Sequence, residues 1–228
     1  MGKALARIGV GGLELRDAGE SALLVVLGDR IDPAVNARVH ALTRALAQRP
    51  EGLNELVPGY ASLLVRFDPR LLDRDRLRSL LQDLAAEPAS ATVPARLVEI
   101  PVHYGGDYGP DLGEVAARGG LTPAEAATLH ASADYHCYML GFVAGFPYLG
   151  SLPAALACPR LSTPRTAVPA GSVGIAGDQT GIYPRATPGG WRIIGWTPLV
   201  LFDPVRAEPA LIRPGDRVRF ISAEAPDA

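Results

Sequence analysis

Val168-Pro-Ala-Gly-Ser-Val-Gly-Ile-Ala-Gly-Asp-Gln-Thr-Gly-Ile-Tyr183 decides the fold of the larger part of the chain. Its glycines at 171, 174, 177 and 181 break any helical run, and they let backbone amides face outward and approach a ligand closely. The same grammar extends on both sides. From Gly141 to Gly215 there are 11 glycines and 11 prolines in 75 residues, a density that excludes long helices and forces short strands joined by tight turns. Leu97 to Tyr104 opens this region, and Arg217-Val-Arg-Phe220 closes it after the turn Pro214-Gly215-Asp216. One helical interruption is announced by Thr122-Pro123-Ala124-Glu125, which has the cap, first-turn proline and capping-box acid of a helix running to about His130. A closed or nearly closed β-barrel over residues 95–228 fits this pattern best.

The first 90 residues read differently. Strand-like runs at Leu13 to Arg16, Ser21 to Leu27 and Ser62 to Phe67 alternate with two helical patterns. In the first, Val35, Val39, Leu42 and Leu46 form one apolar face after the start signal Asp32-Pro33. In the second, after Asp73, Leu77, Leu80, Leu81 and Leu84 share a stripe from which the charged residues are excluded. A small α+β sandwich over residues 1–90 is expected, joined to the β half through the linker Glu87-Pro-Ala-Ser-Ala-Thr-Val-Pro94.

Composition narrows the chemistry. The 228 residues are 48% hydrophobic and 20% charged, the balance of a folded soluble protein, and the net charge of −2 provides no basic field for a nucleic acid. The only lysine is Lys3, so Schiff-base and biotinyl chemistry and the phosphate-loop lysine are excluded from a site in the folded body. The longest early apolar run, Ala22 to Leu27, is too short for a membrane span or a signal-peptide core, and a cytoplasmic location is expected. Cys137 and Cys158 form no C-x-x-C pair, and no metal-ligand motif of that type or of the H-E-x-x-H type is present.

The candidate site residues follow from their chemistry. Arg160 and Arg165 each follow a proline, and a guanidinium on a stiff backbone is a good fork for a carboxylate or phosphate. Gln179, Thr180 and Tyr183 supply neutral donors and acceptors beside the glycine-rich wall. His130, at the end of its helix and shortly before Tyr135, is the candidate acid or base. His40 and His103 read as ordinary surface or strand residues, and His136 and Cys137, being adjacent, face opposite sides of a strand and make a poor catalytic pair. Gly141-Phe-Val-Ala-Gly-Phe-Pro-Tyr-Leu-Gly150 exposes Phe142, Phe146 or Tyr148 unless they plug the barrel end or meet a partner.

These stretches, together with Leu129-His130, Pro159-Arg160, Pro164-Arg165, Gln179-Thr-Gly-Ile-Tyr-Pro184, Pro188-Gly-Gly-Trp191 and Leu201-Phe-Asp203, resemble one family. It is the family of the 5-oxoprolinase B-subunit, also described as allophanate hydrolase subunit 1 and as the inhibitor of sporulation kinase A. The β half carries the likeness strongly, and the first 90 residues carry it in element order. The resemblance implies an α+β N-terminal domain followed by a mostly-β, cyclophilin-like barrel akin to part of the carboxyltransferase portion of urea carboxylase. It further implies a complex with a second carboxyltransferase-like subunit and a third subunit, hydrolysing 5-oxoproline with ATP held by the complex rather than by this chain alone. In that setting His130 is expected to carry a proton, Arg160 or Arg165 to bind a carboxylate or phosphate, and Gln179, Thr180 and Tyr183 to orient the substrate. Tyr135, Phe142, Phe146, Tyr148 and Trp191 are expected to line the pocket or meet a partner. Regulation of a histidine kinase and hydrolysis of a urea-derived amide are the alternative activities the family names imply. Ala144 and Trp196 depart from the family pattern, where proline and a His or Arg are expected.

Overall fold

The structure, a computed structural model, describes residues 12–47, 50–86 and 95–224. The chain divides into two compact units, 1–94 and 95–228. The expected linker, 87–94, lies outside the described residues.

The first unit runs β1 (Glu14–Asp17), β2 (Ala22–Val26), α1 (Pro33–Ala45), β3 (Leu53–Pro58), β4 (Ser62–Phe67) and α2 (Arg74–Ala86). Its four strands form an antiparallel sheet in the order β1-β2-β4-β3. Alternation puts Leu23 and Val25 of β2 beside Leu63, Val65 and Phe67 of β4 on one face, all with no exposed surface. Val39 and Leu42 of α1 and Leu77 and Leu81 of α2 complete that core. Both helices begin where side-chain chemistry allows it: Asp32 accepts from the amides of Ala34 at 2.8 Å and Val35 at 3.2 Å, and Asp73 accepts from those of Asp75 and Arg76. His40, expected at the surface, is buried on α1. The strand β3 was not foreseen, because as an irregular edge strand it buries little beyond Leu53 and carries polar Asn54 and Glu55.

The second unit contains β5 (Leu97–Tyr104), α3 (Leu112–Arg118), α4 (Pro123–Ser132), β6 (Asp134–Leu140) and β7 (Pro147–Gly150). It continues with β8 (Arg165–Val168), β9 (Ser172–Ala176), β10 (Gln179–Ile182), β11 (Thr187–Gly189), β12 (Arg192–Trp196) and β13 (Arg217–Ser222). Seven strands close a barrel in the order β10-β7-β6-β13-β5-β12-β9, and β8 and β11 form a separate two-stranded ribbon. The β13–β5 pair is parallel and the other barrel pairs are antiparallel. Closure leaves no open sheet edge in the barrel itself. The capping box at α4 forms as read from the sequence, with Thr122 Oγ1 accepting from the Glu125 amide at 3.2 Å and Glu125 accepting from the Thr122 amide at 2.8 Å.

Two apolar clusters lie on opposite sides of the barrel wall. Ile100, Val102, Tyr135, Leu149, Val173, Ile175, Ile182, Ile194 and Phe220 point inward, with Val115 and Ala116 of α3 packed against them. Their strand neighbours of opposite parity, Ala176, Tyr183 and Ile193, join Phe146, Val168 and Trp191 in a second cluster outside the wall. Position along the strand therefore decides which environment a side chain meets.

Candidate functional site

His130 lies inside the barrel with no exposed surface. Its ring packs against Phe220, with centroids 4.5 Å apart, and against Tyr135 and Tyr104. Both ring nitrogens are engaged, Nδ1 with the Tyr104 hydroxyl at 2.7 Å and Nε2 with Thr180 Oγ1 at 3.0 Å. The tautomer follows from the partners. Thr180 spends its own proton on the Gly174 carbonyl at 3.0 Å, so it accepts from Nε2–H, and the Tyr104 hydroxyl donates to Nδ1. Burial raises the Tyr104 pKa, which keeps that donor protonated, and burial pushes the His130 pKa down to about 3. Tyr135 donates its hydroxyl to the His130 carbonyl at 2.9 Å. A proton carrier needs a face open to the reacting molecule, and this neutral imidazole has none. Its placement fits a polar brace inside the barrel, with Thr180 and Tyr135 as parts of the same brace.

Outside the wall, the second cluster gathers most of the other candidates. Phe146 is the hub, with its ring edge-on to Tyr183 at 5.2 Å and to Trp191 at 5.3 Å, and tilted against Tyr148 at 5.0 Å. Close packing here depends on Gly189, where a Cβ would lie 2.3 Å from the Tyr183 hydroxyl oxygen. Phe142 stands at the rim, 63% exposed, with its ring 5.9 Å from Phe146 and a backbone φ of 62°, a left-handed conformation that disfavours a residue with a side chain. Gln179, half-buried, begins the strand that ends beside Tyr183. Burial raises the pKa of both Tyr183 and Tyr148, with Arg160 acting in the opposite direction on each, so both phenols are donors near neutral pH.

The two arginines differ sharply in what they are free to do. Arg160 is exposed, lies 6.0 Å above the Trp191 ring, and pairs with no carboxylate among the described residues. Arg165 is bound to Asp111 Oδ1 at 2.8 Å, the contact that chiefly raises its pKa, and also reaches the Trp191 carbonyl at 3.5 Å. Asp111 is 8% exposed and precedes α3 without capping it, because its other oxygen takes the Ile193 amide at 2.6 Å. Three residues on, Glu114 pairs with Arg192, which is itself buried and donates to the Pro159 carbonyl at 3.1 Å. Asp111, Glu114 and Arg192 were not foreseen from the sequence.

The expected single pocket is thus divided. Arg160, Arg165, Tyr183, Trp191, Tyr148, Phe146 and Phe142 are brought together on the outer wall, while His130, Thr180 and Tyr135 sit within. Residues 180 and 183 are three apart on an extended segment, so they face opposite sides. Among the described residues, no group of three or more His, Cys, Asp or Glu side chains is placed to hold a metal ion, and no helix is long and apolar enough to cross a membrane.

Residues 13–212 match the family described as the carboxyltransferase domain, subdomain C and D. The chain belongs to that family. A Bacillus subtilis (strain 168) protein named as the B-subunit of 5-oxoprolinase is 42% identical over 226 residues, covering 94% of each chain. An Escherichia coli O157:H7 protein of the same name is 47% identical over 204 residues, covering 89% of this chain and 93% of that one. The solved structure of TTHA0988 superposes with a TM-score of 0.81 at 45% identity, covering 90% of this chain but 40% of that longer one.

Proposed function

We propose that this chain is a subunit of an ATP-dependent 5-oxoprolinase complex, which opens 5-oxo-L-proline to L-glutamate with formation of ADP and phosphate. The assignment is supported by the identity of 42% and 47% to two proteins named as the B-subunit of that enzyme. Within the chain, the observation that carries the reading is the state of Arg160. A guanidinium above the Trp191 ring, exposed and clear of any carboxylate among the described residues, is a ready fork for the carboxylate of a small cyclic amino acid. Arg165, already bound to Asp111, holds the β8 segment in place.

The half-buried Tyr148 hydroxyl flanks the site as a donor, and the aromatic floor, with Tyr183 buried beneath it, suits a compact five-membered ring. The described residues include no lysine and no group of three or more metal-ligating side chains, and on this reading the nucleotide is held by the rest of the complex. The partners are a second carboxyltransferase-like subunit and a third subunit.

Co-purification with candidate partner subunits, followed by an oxoproline-dependent ATPase assay, tests the reading. Activity is expected only in the mixture, and Arg160→Ala is expected to raise KM for 5-oxoproline about tenfold or more. Hydrolysis by this chain alone, or unchanged activity when it is left out, refutes the assignment.

A further inference from the structure

We infer that Arg192, gripped by Glu114, is a positioning residue that fixes Arg160 over Trp191 by holding the carbonyl of Pro159. The inference rests on Arg160 being the carboxylate fork and identifies the strut behind it. Two backbone contacts bracket Arg160. On one side the Pro159 carbonyl accepts from Arg192 Nε at 3.1 Å, and on the other the Leu161 amide donates to the Gly190 carbonyl at 2.8 Å. Gly190 and Arg192 are the two chain neighbours of Trp191, so the fork and its aromatic floor are mounted on one frame. Upstream, Cys158 is paired with Gly177 by two backbone hydrogen bonds, at 3.1 and 2.7 Å. Without Arg192 the segment therefore stays anchored at both ends, while the Pro159 carbonyl, the link next to Arg160, loses its partner and the peptide between the anchors is free to reorient.

Stability alone is a poor reason for this arrangement. Arg192 is 7% exposed, and desolvating a guanidinium is costly enough that an apolar side chain of similar length often serves as well in a core. Glu114 takes Arg192 with one oxygen and Arg118 with the other, at 3.1 Å, which ties the strut to α3. The arrangement makes sense if what it secures is the direction of Arg160.

The test is Arg192→Met in the reconstituted complex, scored with and without Arg160→Ala. Thermal stability is expected to stay within a few degrees while KM for 5-oxoproline rises about tenfold and kcat changes less than about twofold. In the Arg160→Ala background the same change is expected to add less than about twofold, because the group it positions is gone. Full additivity of the two changes, or a fall in kcat at unchanged KM, overturns the inference. Should Arg192→Met not accumulate as folded protein, Arg192→Lys, which keeps a cation for Glu114 but has no guanidinium Nε–H for the Pro159 carbonyl, carries the same expectations. A readout independent of the reaction separates this from the functional reading. In the full chain carrying Trp196→Phe, acrylamide quenching of Trp191 is expected to rise equally with Arg160→Ala and Arg192→Met. Quenching that rises with the first and not the second overturns the strut whatever the kinetics show. Unchanged KM in Arg160→Ala overturns the carboxylate reading and leaves the quenching result to decide the strut.

Discussion

Replacing His130 with Gln isolates the consequence of enclosing an imidazole in an apolar barrel. Glutamine can accept from Tyr104 and donate to Thr180 as the neutral imidazole does, and it does not titrate. In the folded protein His130 takes up a proton only near pH 3, whereas in the unfolded chain it does so at the ordinary value of 6.5. Between those values the unfolded state binds more protons, so the contribution of His130 to stability is complete above pH 6.5 and is lost as the pH falls toward 3. From pH 7 to pH 4.5 this amounts to about 2.5 kcal/mol, or roughly 1 M in the urea midpoint of a domain this size. Both tryptophans, Trp191 and Trp196, lie in the barrel unit, so their fluorescence reports its unfolding selectively. The wild type is expected to lose that much more stability than His130→Gln over this interval, since every other titrating group is common to both. Equal losses in the two proteins refute the account of a neutral, enclosed histidine. The same variant is expected to keep turnover of the complex within about threefold, where loss of a proton carrier costs about 10²-fold.

Other consequences can be checked separately. Arg165→Ala leaves the Asp111 carboxylate without its cation and is expected to lower the melting temperature of the barrel while changing KM less than about threefold; a tenfold rise in KM with unchanged stability contradicts the division of labour between the arginines. Gly189→Ala drives a methyl group into the Tyr183 hydroxyl and is expected to destabilise the barrel by about 1–3 kcal/mol, measured by urea unfolding. Burial raises the Cys137 thiol pKa and both cysteines are enclosed, so a thiol reagent such as Ellman's is expected to find none in the native chain and two after unfolding. Limited proteolysis is expected to cut first within 87–94 and release two folded fragments; initial cleavage inside 141–190 argues against separately folding units.

What the sequence revealed and what it hid divide along the range of the interactions involved. Asp32-Pro33 and Thr122-Pro-Ala-Glu125 announce helices because capping is settled within four residues, and both caps form. The glycine and proline density from 141 to 215 announces short strands for an equally local reason. The helix α3 went unseen because its seven residues are too few for an apolar period to emerge. The division of the candidate residues between two faces depends on where β10 begins and ends, and the glycines that mark its turns do not fix its parity. The anchoring of the site is more remote still. Asp111 meets Arg165 across 54 positions and Ile193 across 82, and Glu114 meets Arg192 across 78, with nothing in the local pattern to join them.

The composition of the outer cluster also bears on why this chain is expected to be inactive alone. One guanidinium offers a carboxylate two parallel hydrogen bonds, which fixes orientation without supplying a nucleophile or a base. The phenols beside it, Tyr148 and Tyr183, have pKa values raised by burial, so near neutral pH they donate hydrogen bonds and do not remove protons. The carboxylate built into this framework, Asp111, has both oxygens engaged, and the imidazole of His130 lies behind the barrel wall. An amide bond is opened only when a nucleophile, a proton acceptor and a stabiliser of the developing oxyanion meet at its carbon. This wall supplies, on the proposed reading, substrate orientation through Arg160 and a hydrogen-bond donor from Tyr148. On the proposed reading, the nucleophile and base come from a partner surface, and the exposed Phe142 rim, adjoining the same aromatic cluster, is where the site is open to one.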